Sequence, residues 1–359
     1  MTPRTRMPVL RRLAVMAALS VLPLAVTSCA PPAQSTASSK DVSAEKIPAE
    51  VSGDTTLTVG APELKVALEL SGQIDELPFK VEWANISGGP KCSEAFRAGA
   101  LDICSAAEIP SIHAHWTGLD TKLVATELRE DPVAHPIYEL GIAPGADIGT
   151  LEDLRGKKIA YSPGQAQGTL VLRILAEAGL TQEDVELVEL ASTDDVYPTA
   201  LGNKQVDAAP IGGVNIKRYL TKYGADGGTT LAHGLRDDPT HLWALTETVA
   251  DARKSAAVRE LIRFWARAVV WVDEHPEEWI EGWYVEDQGL SREDGEYLVQ
   301  QKGHPDIPAD WDDVIERQQQ TVDLLAREQD REAFEADVLF DRRYESVAAE
   351  AVAGEGTSS

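Results

Sequence analysis

An α/β fold in two lobes is what this 359-residue sequence predicts. Three observations carry that expectation. Short β-type runs alternate with helical runs at the spacing of βαβ units, which calls for sheets with parallel strands covered by helices. The alternation breaks near residue 150 and again at the glycine pair Gly227 and Gly228, so it comes in separate blocks. The body beyond residue 54 is also longer than one hydrophobic core usually organises.

The chain opens with a segment that reads as delivery and not as fold. Arg4, Arg6, Arg11 and Arg12 make a basic start, residues 13–26 form an apolar run too short to span a bilayer comfortably, and small residues precede Cys29. This order resembles a bacterial lipoprotein signal. The resemblance implies that residues 1–28 are removed and that a lipidated Cys29 holds the protein on the outer face of the cytoplasmic membrane. The other reading is an ordinary secretory signal with an incidental cysteine. Residues 29–54 are expected to be a flexible tether, because residues 30–39 are rich in Pro, Ser, Ala and Thr and offer little apolar surface to bury.

In the first lobe, residues 55–60 and 79–83 alternate as strands, with a helix over 62–70 between them. After Gly88 and Gly89, Pro90 opens a helix that Gly99 stops; residues 101–104, 122–127 and 136–142 supply further strands. The second lobe reads as strands over 157–161, 185–190 and 206–209 separated by helices over 168–178 and 195–201. Residues 241–248 form a strand again. A long helix over 254–271 follows, with Val258, Leu261, Ile262, Trp265, Ala268, Val269 and Val272 as its apolar stripe. Further helices over 276–284, 292–301 and 309–326 clothe a lobe. The domains expected are therefore 55–145 plus 241–350 for lobe I and 150–234 for lobe II, with a disordered tail at 351–359.

Charge excludes one class of partner. The formal charge is −26, and removing the four arginines of residues 1–28, which hold no acid, takes it to −30. Such a surface repels nucleic acid. Beyond Cys29 only Cys92 and Cys104 remain. In an oxidising compartment they are expected to bridge; two buried thiols packed as small hydrophobes are the alternative. No metal or other cofactor is called for, since no histidine has the spacing of a structural zinc site.

No nucleophile, base and orienter stand together in a recognisable motif, so the chain is read as a non-enzyme. The stretch Ser162, Pro163, Gly164, Gln165, Ala166, Gln167, Gly168, Thr169 is more informative. It joins a strand to a helix, where backbone N–H groups and the Ser162, Gln165, Gln167 and Thr169 side chains converge on an anion or polar headgroup, or else cap only their own helix. Gly89, Pro90 and Lys91 offer a similar helix start in the first lobe, with one positive charge. Glu108 stands at a strand end, where ligands of open α/β sheets lie, and either binds a ligand or caps the following helix. His113 and His115, two apart on a helix, face different ways, so at most one reaches a ligand.

The chain resembles the nitrate/sulfonate/taurine class of ABC-transporter solute-binding proteins, above all its alkanesulfonate-binding branch. The residues that carry this are Val81-Glu82-Trp83, Gly88-Gly89-Pro90, Glu94-Ala95-Phe96-Arg97-Ala98-Gly99-Ala100-Leu101-Asp102-Ile103, Leu151-Glu152-Asp153-Leu154-Arg155-Gly156-Lys157-Lys158-Ile159-Ala160, Ala178-Gly179-Leu180-Thr181-Gln182-Glu183-Asp184-Val185 and His275-Pro276-Glu277-Glu278-Trp279. The resemblance implies a two-lobed periplasmic-binding-protein-like fold of type II with its ligand cleft between the lobes. It implies a monomeric receptor that captures a small organic anion such as a sulfonate and delivers it to an ABC permease with a cytoplasmic ATPase.

Family pocket positions fall on Gly89, Pro90, Glu108, Ile109, Pro110, Ser162, Gly164, Gln165, Gln167 and Thr169. Lys91, His113 and Ile211 join them as expected ligand contacts. Where the family carries a tryptophan-bearing stretch, this chain has Pro210-Ile211-Gly212-Gly213-Val214-Asn215, which implies a larger or softer wall there. Another sulfur- or nitrogen-containing metabolite is the second ligand class. An enzyme of the related pyrimidine-precursor synthase fold is a third reading, against which stands the lack of its histidine- and cysteine-bearing pattern.

Overall fold

The structure is a computed structural model that describes Val42 and residues 44–193 and 195–354. The expected signal at residues 1–28 and Cys29 lie outside the described residues.

The first stretch runs β1 (Thr56–Gly60), α1 (Pro62–Leu70), β2 (Lys80–Trp83), α2 (Gly89–Arg97), β3 (Ile103–Ala107), α3 (Ile109–Trp116) and β4 (Thr121–Arg129). In β1, Leu57 and Val59 are fully buried while Thr56 and Thr58, which alternate with them, are half-buried, the pattern of a strand with one inward face. Pro62 and Pro90 stand in the first turns of α1 and α2, where a missing N–H leaves no intrahelical bond unmade.

The second stretch comprises β5 (Tyr138–Ile142), β6 (Lys158–Tyr161), α4 (Ala166–Glu177), β7 (Glu186–Glu189), α5 (Val196–Gly202), β8 (Ala208–Gly212), α6 (Val214–Tyr223) and β9 (Thr229–Leu231). The chain returns through β10 (Thr240–Leu245), α7 (Thr246–Ala250), α8 (Ala252–Glu274), α9 (Pro276–Trp279) and a π-helical stretch, Ile280–Asp287. It closes with α10 (Arg292–Lys302), β11 (Pro305–Asp306), α11 (Asp312–Glu328) and α12 (Val347–Ala353). Among the described residues, no helix is long and apolar enough to cross a membrane.

Two sheets result. The first has the order β11-β4-β10-β3-β1-β2 and the second β7-β6-β8-β5-β9. In each, parallel strands are joined by an antiparallel one: β10 runs against β3 and β4, and β5 against β8 and β9. Each sheet also carries its own apolar cluster. Leu57, Ile103, Leu242 and Trp243 belong to the first; Leu140, Ile159, Leu175 and Leu201 belong to the second. α8 buries the expected stripe against the first cluster, and the Asp251 carboxylate caps it by accepting from the Arg253 and Lys254 amides, both at 2.9 Å.

The cysteines bridge as expected. Cys92 of α2 and Cys104 of β3 form a disulfide with a Cα–Cα distance of 6.1 Å, and both are fully buried.

Four expectations are corrected. Residues 136–142, expected in lobe I, belong to the second sheet: β5 pairs with β8 and β9, because the chain crosses before Tyr138. The Asp237 carboxylate anchors that crossing by accepting from the Ile137 amide at 3.0 Å and the Tyr138 amide at 2.8 Å. The tether does not extend to residue 54. Val42 is buried, Ile47 and Val51 pack on the first core, and Arg259 donates to the carbonyls of Pro48 at 2.7 Å and Ala49 at 2.8 Å.

Residues 351–353 are helical and not tail, because α12 runs to Ala353 with Val347 and Ala348 packed in the core; residues 355–359 lie outside the described residues. Finally, β3 starts at Ile103 and not at Leu101. The Asp102 carboxylate accepts from the Thr58 amide at 3.0 Å and receives the Thr248 hydroxyl and Lys254 ammonium, so that residue anchors the strand's start instead of pairing within it.

Candidate functional site

The carboxyl ends of β1, β2 and β3 open onto a cavity of ≈ 550 Å³, a volume suited to a small organic ligand. Asn85 and Ser87, between β2 and α2, and Ser105 of β3 supply neutral polar groups. Trp265 of α8, Trp279 of α9 and Trp283 of the π-helical stretch supply the apolar wall. The Trp279 and Trp283 rings stack with centroids 5.5 Å apart at 17°. Glu63, in the first turn of α1, and Glu127 of β4 bring carboxylates, and Lys302 of α10 brings an ammonium 4.0 Å from Glu127.

Glu63 is open to the space of the cavity, yet protein surrounds it closely. Desolvation pushes its carboxyl above the usual carboxylate range; Lys302 opposes this, Glu127 adds to it, and Arg129 opposes it. The Tyr284 hydroxyl nearby is pushed up to about 12, by burial first and by Glu63 second.

A cavity of ≈ 210 Å³ adjoins the first, sharing Glu63, Glu127, Thr240, Trp279 and Lys302 with it and reaching Ile137, Gly213 and Ile216 beside the second sheet. Another, of ≈ 320 Å³, lies on the second sheet and also touches Ile137. Gln167, Ser192, Tyr197, Ile211 and Tyr138 are among its walls. The hollow therefore extends from the carboxyl edge of one sheet to that of the other, the place where open α/β sheets bind ligands.

Of the residues singled out in the sequence, Gln167 and Ile211 line this hollow. Ser162 and Gln165 turn to Ser192, in the segment between β7 and α5: the Ser162 hydroxyl donates to Ser192 Oγ at 3.2 Å, and Ser192 donates to Gln165 Oε1 at 2.8 Å. Thr169 is buried, and its hydroxyl finds no hydrogen-bond partner among the described residues. Gly168 is required there, since a Cβ would lie 2.1 Å from the Ser162 carbonyl oxygen.

Gly89 is buried, and a Cβ on it would come within 2.1 Å of the Pro110 ring, so these residues with Ile109 pack α2 against α3. Pro90 and Lys91 are exposed and line none of the three cavities.

His113 and Gly164, expected on opposite lobes, do meet. The Cβ position of Gly164 is 3.7 Å from His113 Nε2, and burial lowers the imidazole's pKa, with Arg331 adding to the effect. His115 faces elsewhere and stacks on Phe334 at 4.0 Å between centroids.

Glu108 departs furthest from expectation. Its carboxylate is buried and faces α4 and α11, where Arg173 donates to Oε1 at 2.8 Å, the Thr321 hydroxyl donates to Oε2 at 3.3 Å, and Arg317 stands 3.9 Å away. Arg173 also donates to Thr321. This is an internal tie between the end of β3, α4 and α11. Glu108 therefore has its partners within the protein and is corrected from a ligand contact to a structural one.

The family is decided by residues 80–279, more than half of the chain, which match the family described as NMT1/THI5 like. The chain belongs to the NMT1/THI5-like family. A putative aliphatic sulfonates-binding protein of Escherichia coli (strain K12) is 34% identical over 129 residues, which span 36% of this chain and 39% of that relative's length.

The fold of the periplasmic aliphatic sulphonate binding protein from Escherichia coli superposes with a TM-score of 0.67 at 22% identity, covering 79% of this chain and 91% of that one. The desulfurization enzyme DSZB shares the fold as well, with a TM-score of 0.56 at 17% identity over 84% of this chain and 99% of its own. The two-lobed periplasmic-binding-protein fold expected from the sequence is thus the fold of this NMT1/THI5-like chain.

The residues that sequence reasoning missed are those that only folding gathers. Glu63, Glu127 and Lys302 come from three distant segments and carry no motif. The Trp279 and Trp283 pair did leave a signal, two indoles four residues apart, the spacing of one helix face. On the second sheet, the tryptophan-bearing stretch is absent, but Tyr138 and Tyr197 supply aromatic wall in its place. Gly212 makes room for this, since a Cβ there would lie 2.7 Å from the Tyr138 ring.

Proposed function

We propose that this protein is the exported, non-catalytic solute receptor of an ABC importer. In this reading a small organic ligand, with alkanesulfonates the first class to test, enters the hollow between the lobes, and closure presents the paired lobe surfaces to a permease. The observation that supports it most is the run of adjoining cavities from the carboxyl edge of the first sheet to that of the second. Ligand contacts made only in the closed form shift the equilibrium toward it.

In the same reading Cys29 carries the lipid anchor, residues 55–130 with 240–354 form one lobe and 138–231 the other, and the receptor acts as a monomer. The polar grip on the second lobe is assigned to Gln167 and Thr169, supported by the Ser192 network that holds their loop.

Calorimetry with a panel of alkanesulfonates, aromatic sulfonates, taurine and nitrate tests the reading. Saturable one-to-one binding of a panel member, without turnover, is the expected result; chemical change of a bound ligand would overturn the non-catalytic assignment. Gln167→Ala is expected to weaken binding of that ligand about tenfold, by leaving one buried polar group unpaired, with an unchanged circular dichroism spectrum. Unchanged affinity would remove Gln167 from the grip.

A further inference from the structure

We propose that the first-lobe cavity takes an organic cation: a protonated nitrogen facing Glu63 and Glu127, with an apolar body resting on Trp279 and Trp283. This rests on the receptor reading and deepens it by naming the charge class of the group that the first lobe selects.

The cavity's charge balance carries the argument. Glu63 and Glu127 supply two carboxylates, and Lys302 is the only Lys or Arg among the lining residues. Lys302 approaches Glu127. Glu63 has no hydrogen bond and no ion pair within 4.0 Å among the described residues; Lys302 and Arg129 act on it only from farther off, so its carboxylate stands over the cavity without a close partner. The start of α1 would by itself draw an anion, but Glu63 in its first turn already occupies that role. An incoming sulfonate would meet like charge in a confined space, whereas an ammonium or protonated nitrogen base would supply the missing partner.

The indoles favour the same class. Three of them line a cavity that bears net negative charge, and an aromatic face attracts a cation through its quadrupole while offering flat apolar area to the rest of the ligand. The remaining polar groups, Asn85, Ser87, Ser105, Thr240 and Gln288, are neutral and both donate and accept, so they do not reverse the preference.

Proton linkage gives the class a second signature. Glu63 faces Lys302 of α10, Glu127 and Arg129 of β4, and Tyr284 of the π-helical stretch, and with desolvation the largest cause its carboxyl holds its proton above the usual range. A bound cation favours the ionised carboxylate, so its affinity rises as pH rises from the ordinary carboxylate range toward neutrality. A bound anion gives the opposite slope.

The test is calorimetry on the full exported protein with three probes of one carbon skeleton: 2-phenylethylammonium, 2-phenylethanesulfonate and 2-phenylethanol. The ammonium is expected to bind at least tenfold more tightly than either of the others, with affinity rising between pH 5 and pH 7. Glu63→Gln is expected to lower that affinity about tenfold and flatten the pH slope.

Sulfonate affinity equal to or above the ammonium's overturns the proposal and leaves the receptor reading standing. So does an unchanged ammonium affinity in Glu63→Gln. Binding of none of the three overturns it as well, and the receptor reading then stands or falls on the sulfonate panel. If Glu63→Gln does not fold, the pH slope of the unaltered protein decides, and a falling or flat slope overturns the assignment.

Discussion

Arg173→Ala is expected to destabilise the protein by about 3 kcal/mol, because it strips the buried Glu108 carboxylate of its closest cationic partner. Arg317 stands 3.9 Å from that carboxylate, too far for a hydrogen bond, and the Thr321 hydroxyl then becomes its nearest remaining donor. The loss arises from a buried charge left with only the more distant Arg317 and not from lost apolar contact, so the double substitution Glu108→Gln with Arg173→Ala should recover most of it. Urea unfolding at equal m-values measures both changes. A single substitution that costs under about 1 kcal/mol, or a double one as damaging as the single, would show that the tie does not need its charge pair.

Removing the disulfide through Cys92→Ala with Cys104→Ala should cost about 3 kcal/mol, the loop-closure entropy returned to the unfolded chain by freeing a sequence separation of 12. The bridge ties α2 to β3, and α2 begins at Gly89 beside the cavity residue Ser87. Reduction should therefore lower ligand affinity in parallel with stability. Equal midpoints for oxidised and reduced protein would show that helix and strand hold together without it. The oxidised protein should gain the hydrogens of two thiols in intact mass on reduction.

Much of the architecture was legible because it is local. Leu57 and Val59 alternate, Val258, Leu261 and Ile262 recur at helical spacing, and prolines and glycines mark starts and stops; these patterns act over a few residues and need no distant partner. The placement of residues 136–142 was not legible. A short apolar strand suits either sheet, and the choice was made by Asp237, about a hundred residues away, which fixes the Ile137 and Tyr138 amides.

The same division runs through the site. Gln167 comes shortly after the end of β6 and Ile211 near the end of β8, where chain direction alone points groups at a cleft, and both line a cavity there. Glu108 also follows a strand end, but its fate was settled by Arg173 and Thr321, which no local pattern connects to it.

By itself, then, the sequence determined the α/β class, the two blocks of alternating elements, the cysteine pair and the polar loop before α4. Periodicity, turn residues and short loops encode these within reach of the chain's own local geometry. Only the tertiary structure decided which acids meet solvent in a cavity and which are paired inside. That outcome depends on desolvation and on charges contributed by segments far apart, as in Glu127 with Lys302 and Glu108 with Arg173, and neither is set until the lobes have folded.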